Sequence, residues 1–199
     1  MATYEPHDKF YRKARERGLP SRAAFKIEEI IARNRLVVAG SSARIVDLGC
    51  APGGWLAILV AAAGTGGHVV GVDLAQVKNP PAGAIAIVGD ILDAAVTARV
   101  QKELGGRADL VTSDLAPKLT GIAARDEVRS RELIDSALSF AATILKPGAA
   151  MVTKLFMGAE FKDIVDSFKR HFGKVEVTRT KASRPGSSEL YIIAREFRR

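Results

Sequence analysis

The chain of 199 residues contains one cysteine, Cys50, one tryptophan, Trp55, and three histidines. A lone cysteine excludes an internal disulfide and gives no sign of an oxidising compartment. His7, His68 and His171 are scattered without ligand spacing, so no metal is expected. No apolar run approaches the roughly 20 residues of a membrane-spanning helix; the longest, Leu56 to Ala63, is far shorter. The start, Met1 to Pro6, lacks the charged-then-apolar order of a secretory signal, so a cytoplasmic protein with no membrane partner is expected. Acidic residues are in deficit: 22 Asp and Glu against 30 Lys and Arg leave a net charge of +8. That balance favours a polyanionic partner, with nucleic acid foremost. With 47% hydrophobic residues the chain is no disordered tail. Its length suits one sizeable α/β core and is short for two. A single domain over 1–199 is expected, with a basic arm or helix at 1–22, acting as a monomer.

The densest signal is Ile45-Val46-Asp47-Leu48-Gly49-Cys50-Ala51-Pro52-Gly53-Gly54-Trp55. An apolar run stops at the carboxylate of Asp47, a glycine-rich turn follows, and Leu56 to Ala63 reads as the first buried turns of a helix. Glycines let a turn take positive φ and let a ligand approach the backbone. In an open α/β sheet the carboxyl end of a strand is where small ligands bind. The spacing is not the G-x-G-x-x-G of dinucleotide binding, and Pro52 removes an amide that a pyrophosphate would use. A less anionic ligand fits better, although on this loop alone a plain tight turn is an equal alternative.

Around this stretch the chain alternates strand and helix. Val69 to Asp73 is a second strand ending in a carboxylate, placed to accept both hydroxyls of a ribose. Ala84 to Val88 is a third, followed by Asp90 and Ile91. Asp90 could accept from a purine amine while Ile91 covers its face, or Asp90 could cap a helix over Ile91 to Val100. A fourth strand, Ala108 to Thr112, ends in Ser113-Asp114-Leu115-Ala116-Pro117-Lys118, a second polar loop that should face the glycine turn. A long helix with Val128, Ile134, Ala137, Leu138, Ala141 and Leu145 on its buried side stops at Lys146-Pro147-Gly148. The fifth strand, Ala149 to Phe156, is apolar except for Thr153 and Lys154, and a lysine in such a run must reach a carboxylate or a cavity. A helix from Phe161 to Phe172 leads to a sixth strand, Lys174 to Thr180. Only Lys181 to Ser188 separates that strand from Leu190 to Ala194, too short a link for parallel neighbours, so the last strand must run antiparallel.

The N-terminal part is basic. Lys9, Arg12, Lys13, Arg15, Arg17 and Arg22 stand against Asp8 and Glu16, with Phe10 and Tyr11 among them. Such a segment could track a phosphate backbone and stack on bases, or be a solvated helix. Ser21 is the expected cap of a helix that buries Ala23, Ile27, Ile30 and Ile31. Lys26 lies at the edge of that face; spacing alone pairs it with Glu28 or Glu29. Glu189 by itself reads as an edge-strand charge.

Four polar residues stand out in their contexts: Lys26 in Ser21-Arg22-Ala23-Ala24-Phe25-Lys26, Asp114 in Ser113-Asp114-Leu115-Ala116-Pro117, Lys154 in Thr153-Lys154-Leu155-Phe156, and Glu189 in Ser187-Ser188-Glu189-Leu190-Tyr191. Together with Asp47 to Trp55, in this order, they closely resemble the FtsJ/RrmJ family of S-adenosylmethionine-dependent RNA ribose 2′-O-methyltransferases, from about Tyr11 to Ala194. The resemblance implies a Rossmann-like methyltransferase fold: a mostly parallel seven-stranded sheet with one antiparallel strand and helices on both faces. It implies a Lys26-Asp114-Lys154-Glu189 tetrad. It also implies that Gly49, Gly53, Gly54 and Trp55 hold the methionine end of S-adenosylmethionine, that Asp73 takes the ribose, and that Asp90 and Ile91 take the adenine. Asp47, Leu74 and Asp114 complete the implied cofactor site. Small members of the family act on a uridine of 23S ribosomal RNA, so ribosomal RNA of the large subunit is the expected partner. The loop before Glu189 is shorter than in bacterial members, which leaves transfer RNA or another RNA open as the target.

In such a reaction a lysine ammonium is no base. Lys154 would have to give up its proton, which partial burial and the charge of Lys26 favour and the two carboxylates oppose; alternatively it stabilises an oxyanion. Cys50 reads as packing. Two other classes share parts of the signal. A nicotinamide-dependent oxidoreductase would share the βαβ rhythm but lacks the fingerprint. A non-catalytic RNA-binding module would explain the charge but not the lysines and acids at element ends.

Overall fold

The computed structural model describes residues 8–38, 41–117, 120–184 and 186–198. Residues 1–7 of the expected arm, Lys118 of the second polar loop and Pro185 of the loop before Glu189 lie outside them. Seven strands form one sheet: β1 (Arg44–Leu48), β2 (His68–Asp73), β3 (Ala84–Val88), β4 (Ala108–Ser113), β5 (Leu145–Phe156), β6 (Phe172–Thr178) and β7 (Glu189–Phe197). Their order is β3-β2-β1-β4-β5-β7-β6. β7 pairs antiparallel with both neighbours and the other strand pairs are parallel, as the short link before it required.

The parallel strands are apolar because helices cover both faces. Val46, Leu48, Val111 and Met151 point into one core, packed by α4 (Ala94–Leu104), α5 (Ala123–Ile144) and α6 (Phe161–His171). Ile45, Leu110, Val152, Tyr191 and Ile193 point into the other, under α2 (Ala24–Asn34) and α3 (Gly54–Ala63). Because side chains alternate along a strand, Asp47, Thr112, Lys154 and Glu189 all fall on the α2/α3 face. The order reverses between β1 and β4, so the loops leaving those strands open the crevice where such sheets bind ligands. They do meet: the amide of Asp114 donates to the carbonyl of Leu48 at 2.9 Å.

Several boundaries differ from expectation. Ser21 does not cap α2; its Oγ accepts from the amide of Ala23 at 3.0 Å in a preceding turn, and the cap position is Ala23. Asp90 caps no helix, because it accepts from Leu92 in a turn while Asp93 caps α4 through the amide of Ala95 at 2.8 Å. Val128 is 51% exposed. Six residues before Ile134, it lies about 240° around the helix and off the buried stripe. β5 begins before Ala149, since Leu145 already pairs with Ala108 and residues 146–148 are absorbed at a register shift. β7 is no edge strand, so Glu189 is no edge charge.

At Gly71 in β2, an added Cβ would lie 2.7 Å from the Cys50 sulfur and 2.9 Å from Leu56 Cδ2. Gly71→Ala is expected to lower unfolding stability by about 1–3 kcal/mol through overpacking, measured by denaturant titration.

Candidate active site

Two lysine–carboxylate pairs lie at the carboxyl edge of the sheet. Lys26 from α2 reaches Glu189 at the start of β7, 2.6 Å away. Lys154 from β5 reaches Asp114 just past β4, with Nζ 2.6 Å from Oδ1 and 3.2 Å from the Asp114 carbonyl. The pairing of Lys26 with Glu28 or Glu29 is overturned. Glu28 is held by Arg17 at 2.8 Å, and Glu29 accepts from the amide of Lys181 at 2.9 Å. All four tetrad side chains are largely buried, with Lys154 at 10% exposure. Pairing is what makes burying these charges tolerable.

Tyr191, not singled out from the sequence, fixes the Glu189 end of one pair. Its hydroxyl donates to Glu189 Oε1 at 3.0 Å, and Ser183 donates to the same oxygen at 2.9 Å. Burial works to raise the Glu189 carboxyl, but the hydrogen bond and charge of Lys26, with the Ser183 and Tyr191 hydroxyls, outweigh it and hold the group below its ordinary value. Burial and the charges of Asp114 and Glu189 push the Tyr191 phenol far up, so it remains a donor. The signal for Tyr191 was its place two residues after Glu189, on the same strand face.

Asp114 also borders the glycine turn. With Ser21, Ala23, Gly49, Cys50, Ala51, Pro52, Gly54 and Trp55 it lines a cavity of about 20 Å³. Gly49 has φ +78°, and a Cβ there would sit 3.0 Å from the amide nitrogen of Leu115. At Gly54 a Cβ would meet Ser21 Oγ at 2.9 Å. The turn is thus closed at Gly54 against the segment before α2 and at Gly49 against the β4 exit, and a side chain is excluded at these two positions. Gly53, also at positive φ (+106°), rests over Val77. Trp55 is 3% exposed and its Nε1 donates to the Ala23 carbonyl at 2.9 Å, so it binds α3 to α2 as well as walling the cavity.

Asp73, at the end of β2, accepts from the amides of Ala51 at 2.9 Å and Ala75 at 2.8 Å, which ties the strand end to the glycine turn. Asp90 is exposed one strand over, and Ile91 packs against the core. Leu74 and Leu92 are each 74% exposed beside these acids, open apolar surface for a flat ligand.

Beneath the turn, Asp47 is 0% exposed. Thr112 Oγ1 donates to its Oδ1 at 2.7 Å, while Oδ2 is buried without a hydrogen-bond partner. Burial lifts this carboxyl to about 8; the Thr112 hydrogen bond opposes the rise, and the charges of Asp114 and Asp73 add to it. Cys50 is pushed up to about 12 by burial and by Asp47 and Asp73, so it stays a thiol in the core.

The basic segment forms α1 (Lys9–Glu16), capped by Asp8, which accepts from the amide of Tyr11 at 3.0 Å. Its Phe10 ring is not a free stacking platform. Phe10 packs on Phe25 at 5.8 Å, with Lys9 5.3 Å and Arg22 5.6 Å from the Phe10 ring. Arg22 also pairs with Asp8. This arrangement docks α1 on the β6–β7 loop through Ala182. Beside it a groove of about 310 Å³ runs past Arg22, Lys26, Arg184 and Glu189, giving the tetrad a basic flank. Among the described residues no group of three or more His, Cys, Asp or Glu could hold a metal, and no helix is long and apolar enough to cross a membrane.

The FtsJ-like methyltransferase profile matches residues 19–197. The chain belongs to the FtsJ-like methyltransferase family. A ribosomal RNA large subunit methyltransferase E from Methanoculleus marisnigri is 44% identical over 198 residues, covering 100% of this chain and 95% of that protein. The protein of the same name from Gluconobacter oxydans is 45% identical over 96% of this chain and 70% of its own length. A Plasmodium falciparum structure assigned as a ribosomal RNA methyltransferase superposes with a TM-score of 0.76 at 22% identity, covering 89% of this chain and 97% of that one. The methyltransferase MycE of mycinamycin biosynthesis, crystallised with Mg and SAH, gives 0.59 at 13% identity over 96% of this chain and 49% of its own. These two likenesses extend to the fold. As an FtsJ-like methyltransferase the chain requires a methyl donor.

Asp47 binds a proton in the folded chain over a range where the unfolded chain, with an ordinary carboxyl near 3.8, does not. Its contribution to stability therefore falls as pH rises from about 4 to 8. Asp47→Asn, which mimics the protonated acid, should gain on the wild type by at least about 1 kcal/mol across that interval in paired denaturant titrations. A constant difference between the two would contradict the buried neutral acid.

Proposed function

We propose that the chain, as one methyltransferase domain, transfers a methyl group from S-adenosylmethionine to a ribose 2′-hydroxyl of ribosomal RNA in the large subunit. The observation that carries this reading is that one residue serves both halves of the site: Asp114 walls the glycine-turn cavity and holds Lys154 at 2.6 Å. A lysine so placed stands at the border between a cofactor and an acceptor.

The charge around the turn supports the choice of cofactor. Asp47, Asp73 and Asp114 lie close enough that the last two raise the first. With Asp47 held neutral by burial and Asp114 paired with Lys154, Asp73 is left as the unneutralised acid beside the turn, which disfavours a pyrophosphate and suits a ligand bearing ammonium and sulfonium charges. Gly49, Gly53, Gly54 and the wall of Trp55 would hold its amino-acid end, Asp73 its ribose hydroxyls, and Asp90 and Ile91, with Leu74 and Leu92, its adenine. When bound, the cofactor supplies an electrophilic methyl on sulfur.

The chain's own residues orient the acceptor and handle its proton. Glu189, fixed by Tyr191 and Ser183, holds Lys26, so the ammonium presents to the ribose from the α2 side. Lys154 must shed a proton before it can receive one from the 2′-oxygen, and Asp114 Oδ1 at 2.6 Å is the acceptor in reach. As an ammonium, the same side chain would stabilise the developing alkoxide, and the pH dependence of transfer separates these roles. The basic groove at Arg22 and Arg184 and the net charge of +8 supply the field that gathers RNA. The names of the relatives direct the choice to large-subunit ribosomal RNA.

Incubating the chain with labelled S-adenosylmethionine and RNA from an undermethylated strain, then mapping the modified nucleotide, tests the reading; a methyl on a base rather than on a 2′-oxygen would refute it. Lys154→Ala should lower single-turnover transfer by about 100-fold or more and leave cofactor affinity by calorimetry near wild type. Asp73→Ala should do the reverse, weakening cofactor affinity about tenfold or more while saturating cofactor restores transfer.

A further inference from the structure

A second cavity adjoins the tetrad on the side away from the glycine turn. It measures about 380 Å³ and is lined by Phe156, Met157, Phe161, Ile134 and Ile164, with a polar rim that includes Ser188. Two of its residues are bound to the tetrad by chain geometry. Ser188 immediately precedes Glu189, and its carbonyl accepts from the amide of Met157 at 3.0 Å. Phe156 lies opposite Glu189 in the β5–β7 register and on the strand face of Lys154, whose Nζ is 5.8 Å from the ring centre. Met157 is 55% exposed.

The rim carries Asp126, Glu127 and Glu160, and among the described residues no lysine or arginine lines the cavity. A phosphodiester would be repelled there. A neutral ring would find an apolar floor beneath a rim whose carboxylates are already held, Asp126 by Thr120 and Gly121, Glu127 by the amides of Ala159 and Glu160, and Glu160 by Arg131 at 3.3 Å. The volume lies within the range of small-ligand pockets.

From this juxtaposition we infer that the cavity walled by Phe156 and Met157 receives the nucleobase of the nucleotide being methylated, turned out of its stack. The inference rests on the proposed function and deepens it. The base hangs from the same ribose whose 2′-oxygen must reach Lys154, so it falls within one sugar's width of that amine. The basic groove beside Lys26 is left to the backbone, and the acidic cavity beside Phe156 to the base. Recognition of splayed, unstacked bases on aromatic and apolar side chains is the common mode for single-stranded RNA.

The test compares two short RNAs, one containing the mapped acceptor nucleotide and one identical but abasic there, with the ribose intact. Met157→Ala removes exposed surface and leaves the core untouched. At subsaturating RNA it should reduce single-turnover transfer about tenfold on the intact RNA, the scale of one stacked base, and by less than about twofold on the abasic RNA. Cofactor affinity by calorimetry should not change. As a second readout, 2-aminopurine at the acceptor position should change fluorescence on binding the wild type, and that change should shrink in Met157→Ala. An equal penalty on both RNAs, or a fluorescence response confined to a flanking position, would overturn the base assignment while methyl transfer itself persists. Failure of the wild type to methylate any intact RNA would instead remove the parent reading, and this one with it.

Discussion

The arrangement depends on burying four charges as two neutral pairs at one edge of a sheet. Lys154 could not occupy an apolar strand without Asp114, nor Lys26 the inner side of α2 without Glu189. Each pair joins elements distant in the chain, so the pairs fix positions as well as charge. Lys26 and Glu189 are separated by 163 residues and lock α2 against β7. Lys154 and Asp114 lock the exits of β5 and β4. The Trp55 indole, bonded to the Ala23 carbonyl, fastens the glycine-turn helix to the same α2. α2, the glycine-turn helix and the strand ends that carry the two pairs are therefore held as one piece.

A gradient of charge runs across this edge. Around the glycine turn, Asp47, Asp73 and Asp114 make a ring of acids, one of them kept neutral by burial. Beside Lys26 the surface is basic, and beyond Phe156 it is acidic and apolar again. These three zones would sort a cationic cofactor, a phosphate backbone and a neutral base without any of them crossing another. In the proposed function the net charge of +8 would supply the overall attraction and the local signs the register.

Much of the framework was legible in the chain. Apolar runs of strand length, glycine turns and the short link Lys181 to Ser188 before Glu189 were enough to place seven strands and reverse the last one. The departures have two causes, local turns that claim a capping side chain and contacts distant in the chain that claim a charge. Ser21 and Asp90 have the chemistry of helix caps, but each is used in a turn one step earlier. Lys26 has two carboxylates within helical reach, but those are taken by Arg17 and by the amide of Lys181.

The order of residues along the chain determined the strand periods, the glycine-rich turn, the excess of positive charge, and which acids and amines stand at the ends of elements. Only the tertiary structure decided which amine meets which acid, that Tyr191 bridges to Glu189, that Asp47 is sealed with one oxygen unpartnered, and that Phe156 turns its ring to Lys154. The physical reason is the range of the forces. Propensity and periodicity act over a few residues, whereas the state of a charge depends on burial and on neighbours that strand order alone brings within a few ångströms.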